Sequence, residues 1–288
     1  MSQRPVDVPR LGAQLADSHA HLSMLDDPIG ALERATLVGV MLIITVADTT
    51  EAPSTTYESL DAWRDGARAR LEEWDVPHGV PPQVRVIVGT HPHNAKSQTD
   101  EVLGLLRELA ARPETVGIGE IGLDYHYDHS PRDIQRRVFR EQLLVAHELG
   151  LPVVIHLRDA HDEGREILEE VGPPEAGCVL HCFTEGPSVM RPFVDMGCYV
   201  SFAGPTTFKK ADGIRAAAAE VPAERMLVET DCPFLAPEPC RGRSNEPAWA
   251  TFTAQRIAEV RGESPAQLGR TIMANTRGLF RVDAPEEA

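Results

Sequence analysis

Aromatic residues make up only 5% of the 288-residue chain, so a protein that holds its ligand mainly by serial ring stacking is disfavoured. Basic residues are also scarce, 28 Lys+Arg against 44 Asp+Glu for a formal net charge of −16. Such a surface repels polyanions as a whole, which excludes a sequence-independent duplex-coating protein. No apolar run is long enough for a bilayer span: the best, Val38 to Ala47, covers about half of the ~20 residues needed and is broken by Gly39 and Thr45. It reads as a buried strand. The first dozen residues contain two prolines and no apolar core, so no secretory signal is expected and the cytoplasm is the default location. The five cysteines form no CxxC pair and are expected to be reduced, mostly buried thiols.

What the sequence does contain is a repeated rhythm. Short Val-, Ile- and Leu-rich runs occur at 14–19, 40–46, 84–89, 116–121, 152–156, 178–182, 198–202 and 225–230. Stretches long enough for a crossover helix separate them, as parallel strands require. Runs apolar on both faces fit strands covered by helices. Eight such units in a chain of this size predict an α/β fold, a single (β/α)8 TIM barrel over 1–288, with a doubly wound open sheet as the alternative.

Ile134 to Leu149 reads as an amphipathic helix stopped by Gly150 and Pro152, with Ile134, Val138, Leu143, Val145 and Leu149 near one face. Ser264-Pro265 starts a last helix expected to reach about Ala274. The 48–82 segment is longer than a minimal crossover and carries seven acidic and three basic residues between Glu51 and Asp75. Tyr57, Leu60, Ala67, Leu71 and Trp74 recur there at helical spacing. An outer helix packed on the barrel is the expectation, with a lid or partner contact as the alternative.

The chemistry lies at the ends of these runs. In DSHAH, His19 and His21 project to the same side of an extended strand. Glu120 follows VGIG, His156 follows PVVI, His181 follows CVL and Asp231 follows LVET. All strands of a parallel barrel end on one rim, so these residues would converge at one mouth. Buried His, Glu and Asp side chains need partners, and metal coordination supplies one for all six. Four imidazoles and two carboxylates exceed the needs of one tetrahedral ion but suit two divalent ions, Mg, Mn or Zn, with a bridging carboxylate. The expected assignment is His19, His21 and Asp231 on one ion, His156 and His181 on the other, and Glu120 on both. Two ions outweigh the two carboxylates and make the mouth locally positive, which favours an anionic substrate such as a phosphate ester. His91 in GTHPH is placed to position the scissile group or protonate its leaving oxygen, and Arg158 in HLRDA to grip a phosphate. Lys209 and Lys210 are expected on the same rim. His93 and Lys210 are as readily explained by ordinary hydrogen bonding and solvation.

DSHAHL, GTHPH, GEIGLDYHYD, LPVVIHLRDA, LHCFTEG, SFAGPTTFKKA, ETDCPFLAP and RSNEP resemble, in order, the motifs of the TatD family of metal-dependent deoxyribonucleases and hydrolases. The resemblance runs from about Leu15 to Phe280. It implies a barrel with a dinuclear site in which His19, His21, Glu120, His156, His181 and Asp231 occupy the ligand positions. It also implies hydrolysis of DNA phosphodiesters as a 3′-end exonuclease, DNA ends or single strands as substrate, proton transfer to Asp231 and substrate contact by His91. The long 48–82 segment and the extra N-terminal residues depart from the family pattern. Two alternatives remain at this point: a small-molecule ester, amide or lactone hydrolase on the same ions, kept open by the acidic surface and few aromatics, and a non-catalytic metal-binding scaffold. No membrane association and no obligate protein partner are expected.

Overall fold

Eight parallel strands, each hydrogen-bonded to its neighbours in sequence order, form the centre of the computed structural model, which describes residues 7–74, 76 and 79–284. The strands are β1 (Leu15–Ala20), β2 (Val40–Asp48), β3 (Gln83–Gly89), β4 (Thr115–Asp124), β5 (Val153–Arg158), β6 (Cys178–Leu180), β7 (Tyr199–Phe202) and β8 (Met226–Val228). Helices cover them: α1 (Pro28–Val38), α2 (Ser54–Glu73), α3 (Asp100–Ala110), α4 (Arg132–Leu149), α5 (His161–Val171), α6 (Pro187–Asp195), α7 (Asp212–Glu220), α8 (Ala250–Arg261) and α9 (Pro265–Phe280).

The sheet curls until β1 meets the chain leaving β8, where Asp231 N donates to His19 O at 3.0 Å and His21 N to Cys232 O at 2.8 Å. A parallel bridge joins Ala20 to Cys232. The buried carboxyl of Asp17 locks this seam by accepting Thr230 N at 2.9 Å and Thr230 Oγ1 at 2.5 Å, and burial raises its pKa to about 8 despite those donors. The open-sheet alternative is thereby overturned in favour of the (β/α)8 barrel.

Alternation along the strands divides the core. Leu42, Ile44 and Val46 of β2 and Ile87 of β3 pack in one cluster with Ala16, Val154, Val179 and Leu227, which fills the barrel. The alternate residues Ile43, Val84, Val86 and Val88 pack in the layer beneath the helices. The apolar residues of each strand thus bury both of its faces, as a helix-covered barrel requires.

Several sequence expectations need correction. β4 extends three residues beyond its expected end, to Asp124, whereas β6 and β8 stop early, so His181 and Asp231 stand in the loops just after their strands. α9 continues past Ala274 to Phe280 because Thr276, Leu279 and Phe280 are buried, while Asn275, which looks like a helix breaker, bonds the carbonyls of Ala223 and Met226 at 2.7 and 2.8 Å. In α2, Tyr57, Leu60, Ala67 and Leu71 are buried, but Trp74 lies past the last turn and is 70% exposed. Leu149 ends α4 at 37% exposure rather than on its packed face. Of the long segment, Asp75, Pro77 and His78 lie outside the described residues.

Cys178 and Cys198 are paired as a disulfide rather than free, with Cα atoms 4.9 Å apart. They lie on and just before the adjacent strands β6 and β7, a spacing a disulfide can bridge. Cys182, Cys232 and Cys240 are free thiols.

Candidate metal centre

Two irregularities in the strands aim the central side chains. Between β1 and β2, Asp17 pairs with Ile43 but Ala20 with Thr45, and between β4 and β5, Ile118 pairs with Val153 but Ile121 with Ile155. In each case three steps on one strand face two on its neighbour, a β-bulge, which turns the local side chains from regular alternation. The first bulge carries His19 and the second carries Glu120. Beyond the second, β4 passes so close to β5 that a Cβ on Gly122 would lie 2.0 Å from the carbonyl oxygen of His156, at a φ of +139°. Only glycine fits there.

All six predicted ligands meet around Glu120, a buried carboxylate whose two oxygens face different sets of imidazoles. Glu120 Oε2 lies 3.3 Å from His19 Nε2 and 3.8 Å from His21 Nε2. Glu120 Oε1 lies 2.7 Å from His156 Nδ1, 2.9 Å from His181 Nε2 and 3.3 Å from His91 Nε2. Asp231 Oδ1 completes the first set, 3.3 Å from His21 Nε2 and 3.8 Å from His19 Nε2. Asp231 is held at a left-handed φ of +57°, in a loop tied down by Asn245, whose amide donates to the carbonyls of Thr230 and Phe234 at 2.8 and 2.7 Å. Asn245 comes from the RSNEP stretch, to which the sequence reading attached no role.

Burial alone would raise the pKa of Glu120, but His181, His91 and His156 outweigh it and hold the carboxyl well below its usual range. Burial would likewise lower that of His181, yet Glu120 and Glu229 drive it well above the ordinary imidazole value.

Two carboxylates missed by sequence reasoning set the proton positions. Asp124 Oδ2 contacts His156 Nε2 at 3.1 Å and His93 Nε2 at 2.9 Å, while its Oδ1 accepts the backbone N–H groups of His126 and Tyr127 at 3.0 and 2.8 Å. Glu229 Oε1 contacts His181 Nδ1 at 3.0 Å and accepts Cys182 N at 2.6 Å. The signal for both was parity: Asp124 stands four residues from Glu120 on one face of β4, and Glu229 two before Asp231. It was hidden because the sequence shows neither that β4 reaches Asp124 nor where β8 turns.

This wiring tests whether the residues suit metal ions. His156 and His181 each have a carboxylate at both ring nitrogens, but a neutral imidazole carries one proton. Either both rings are doubly protonated, or a cation takes the side facing Glu120. With the proton held on the outer nitrogen by Asp124 or Glu229, the inner lone pair is free to bind a metal, as in carboxylate–histidine–metal arrangements. On the other side, His19 Nε2 lies 3.3 Å from His21 Nε2. That spacing and the 3.3–3.8 Å nitrogen–oxygen distances of the first set match the ~3.4 Å edge of a tetrahedron with bonds of about 2.1 Å. The donor set fits divalent ions on both sides of Glu120.

His91 is wired differently. Its Nδ1 accepts the His93 backbone N–H at 3.2 Å, so the neutral ring carries its proton on Nε2, and burial depresses its pKa. That nitrogen is a donor.

The centre opens into a cleft of about 770 Å³ lined in part by Arg158, Tyr127 and Phe234. Arg158 lies over the Tyr127 ring at 4.8 Å, and Tyr127 and Phe234 are 51% and 46% exposed. Lys209, expected on this rim, does not line the cleft. It lies beyond the short 3-10 turn Gly204–Thr207, which carries the chain outward, and it lines a neighbouring groove with Lys210.

The profile described as TatD related DNase matches residues 16–281. The "uncharacterized metal-dependent hydrolase YabD" of Bacillus subtilis (strain 168) is 38% identical over 272 residues, which are 93% of this chain and all of that one. A "3'-5' ssDNA/RNA exonuclease TatD" from Pantoea vagans (strain C9-1) is 38% identical over 199 residues, 67% of this chain and 76% of the relative. Among solved structures, YjjV, a TatD homologue from Escherichia coli K12, superposes with a TM-score of 0.78 at 27% identity, covering 93% of this chain and 98% of that one. With nearly its whole barrel matched by the profile and a full-length relative at this identity, the chain belongs to the TatD related DNase family and is a metal-dependent hydrolase.

Proposed function

We propose that the protein is a dinuclear phosphodiesterase that removes nucleotides from the 3′ end of single-stranded DNA. The observation that carries this reading is Glu120 with one oxygen toward His19 and His21 and the other toward His156 and His181. One carboxylate between two imidazole pairs is what a bridged two-ion hydrolytic site needs. His19, His21 and Asp231 would hold one ion, His156 and His181 the other, and Glu120 both. Bound there, Mg, Mn or Zn ions would supply Lewis-acid activation of water and phosphate.

The chain's own residues divide the remaining work. Asp231 takes the proton of the attacking water as the new P–O bond forms. His91 Nε2–H donates a hydrogen bond to the oxygen that departs as the old P–O bond breaks, and that oxygen then takes its proton from solvent. Arg158 steadies the phosphate, and its guanidinium is already oriented by the Tyr127 ring. Scarce as aromatics are, Tyr127 and Phe234 both stand half-exposed at the mouth, which supports a substrate with bases to stack. The exonuclease name of the Pantoea relative points the same way.

The test is release of nucleotides from 5′-labelled single-stranded DNA by the metal-loaded protein. A ladder shortening from the 3′ end is expected, abolished by chelation and by Glu120→Ala. Full activity in that variant, or rapid turnover of small carboxylic esters or lactones with none of DNA, would overturn the reading.

A further inference from the structure

Beside the metal cleft runs a second groove of about 630 Å³, and Thr184 and Pro205 line both. The two are therefore contiguous, with the loop after β6 and the turn after β7 as the saddle between them. The groove presents Lys209, Lys210 and Arg241 on a chain whose formal net charge is −16. Lys209 and Lys210 have no ion-pair partner among the described residues, and Arg241 meets only Glu238, at 4.0 Å. Its guanidinium lies 4.2 Å over the Phe208 ring, and Glu185 is the one acidic residue in the lining.

The loop that carries the lysines is rigidly built. Arg215 donates to the carbonyls of Thr206, Phe208 and Lys209 at 3.3, 2.7 and 3.3 Å while paired with Asp212. Two lysines without an ion-pair partner on a pinned loop, with Arg241 next to an aromatic face and the whole continuous with a hydrolytic cleft, suit the negative charge of a single-stranded phosphate backbone. We propose that this groove is the track for the part of a single-stranded polynucleotide that lies outside the scissile bond, its phosphates held by Lys209, Lys210 and Arg241. The proposal rests on the nuclease reading and adds a preference for chain length to it: oligonucleotides that reach the groove bind tighter than dinucleotides that fill only the cleft.

The experiment compares the metal-loaded protein with the Lys209→Ala/Lys210→Ala/Arg241→Ala variant and with the single variants Lys210→Glu and Lys210→Arg, all checked for unchanged melting temperature. Binding of a fluorescent 20-nucleotide single strand with phosphorothioate linkages is followed by anisotropy against salt. The ratio of kcat/KM for an ordinary 20-mer to that for a dinucleotide is measured alongside. In the triple variant, affinity is expected to fall about tenfold or more near 0.1 M salt, with the log–log salt slope shallower by about 2, since each lost phosphate contact contributes about 0.7. The length ratio is expected to fall in parallel, Lys210→Glu to weaken binding, and Lys210→Arg to keep it.

An unchanged slope and length ratio in the triple variant would overturn the groove even while DNA is cleaved. So would a wild-type protein that does not bind the 20-mer. Groove-dependent binding without any nucleotide release would instead overturn the nuclease reading and leave the groove standing.

Discussion

Asp124→Asn isolates the proton wiring of the centre, because it replaces one oxygen by an amide nitrogen and changes little else. Asp124 Oδ1 accepts two backbone N–H groups at 3.0 and 2.8 Å. An asparagine keeps its oxygen there, since the reverse rotamer would set an NH2 against two donors. Its nitrogen then faces His156 Nε2 and His93 Nε2, which lie 3.1 and 2.9 Å from the present Oδ2. As a donor, that nitrogen obliges His156 to accept on Nε2 and to carry its proton on Nδ1, the atom 2.7 Å from Glu120. The lone pair that would bind metal is thereby removed while the ring stays in place.

Losing such an outer carboxylate typically costs 10–100-fold in metal affinity or activity, about 1.4–2.8 kcal/mol. Stability should fall by no more than about 1 kcal/mol, because the buried backbone donors keep their acceptor; in Asp124→Ala they would lose it, at about 1–3 kcal/mol per unsatisfied donor. The assays are competition of the protein against a chromogenic chelator for metal, turnover of a phosphodiester, and thermal melting. Wild-type metal affinity and turnover in a folded Asp124→Asn protein would refute the tautomer argument and, with it, His156 as a ligand through Nδ1.

Four further outcomes follow from particular contacts. Glu120→Gln is expected to lower bound metal measured after dialysis and to reduce turnover about 10³-fold or more, since one carboxylate touches both imidazole sets; wild-type metal content would refute a bridging role. His91→Ala should lower kcat by about 10²–10³-fold with metal content unchanged, because its Nε2–H is a hydrogen-bond donor to the departing oxygen; loss of metal would make it a ligand instead. Gly122→Ala, whose new Cβ would sit 2.0 Å from a β5 carbonyl, should destabilise the protein by more than about 4 kcal/mol, and a wild-type melting temperature would contradict the close β4–β5 approach. Tyr57→Phe deletes a buried 2.7 Å hydrogen bond to Thr115 and should cost about 1 kcal/mol with turnover intact; a large loss of turnover would instead favour α2 as a substrate lid.

Much of the architecture was legible in the sequence because it follows from periodicity. Apolar runs spaced by helix-length stretches require parallel strands with crossovers, and parallel strands place their last residues on one rim wherever those residues fall in the chain. For that reason His19, His21, Glu120, His156, His181 and Asp231 were recognisable as a set, and Tyr57, Leu60, Ala67 and Leu71 as one packed face. The tertiary structure alone decided what depends on register and on the paths of loops. Bulges in β1 and β4 turn His19 and Glu120 toward a common point, and the extension of β4 brings Asp124 behind His156. Glu229, just after β8, reaches His181, just after β6, and the adjacency of β6 and β7 joins Cys178 to Cys198. Lys209, one turn beyond the rim, was carried into a different groove from the one its position after β7 suggested. Local composition specifies which elements form; proton positions and side-chain directions depend on contacts between residues far apart in the chain, which exist only once the barrel has closed.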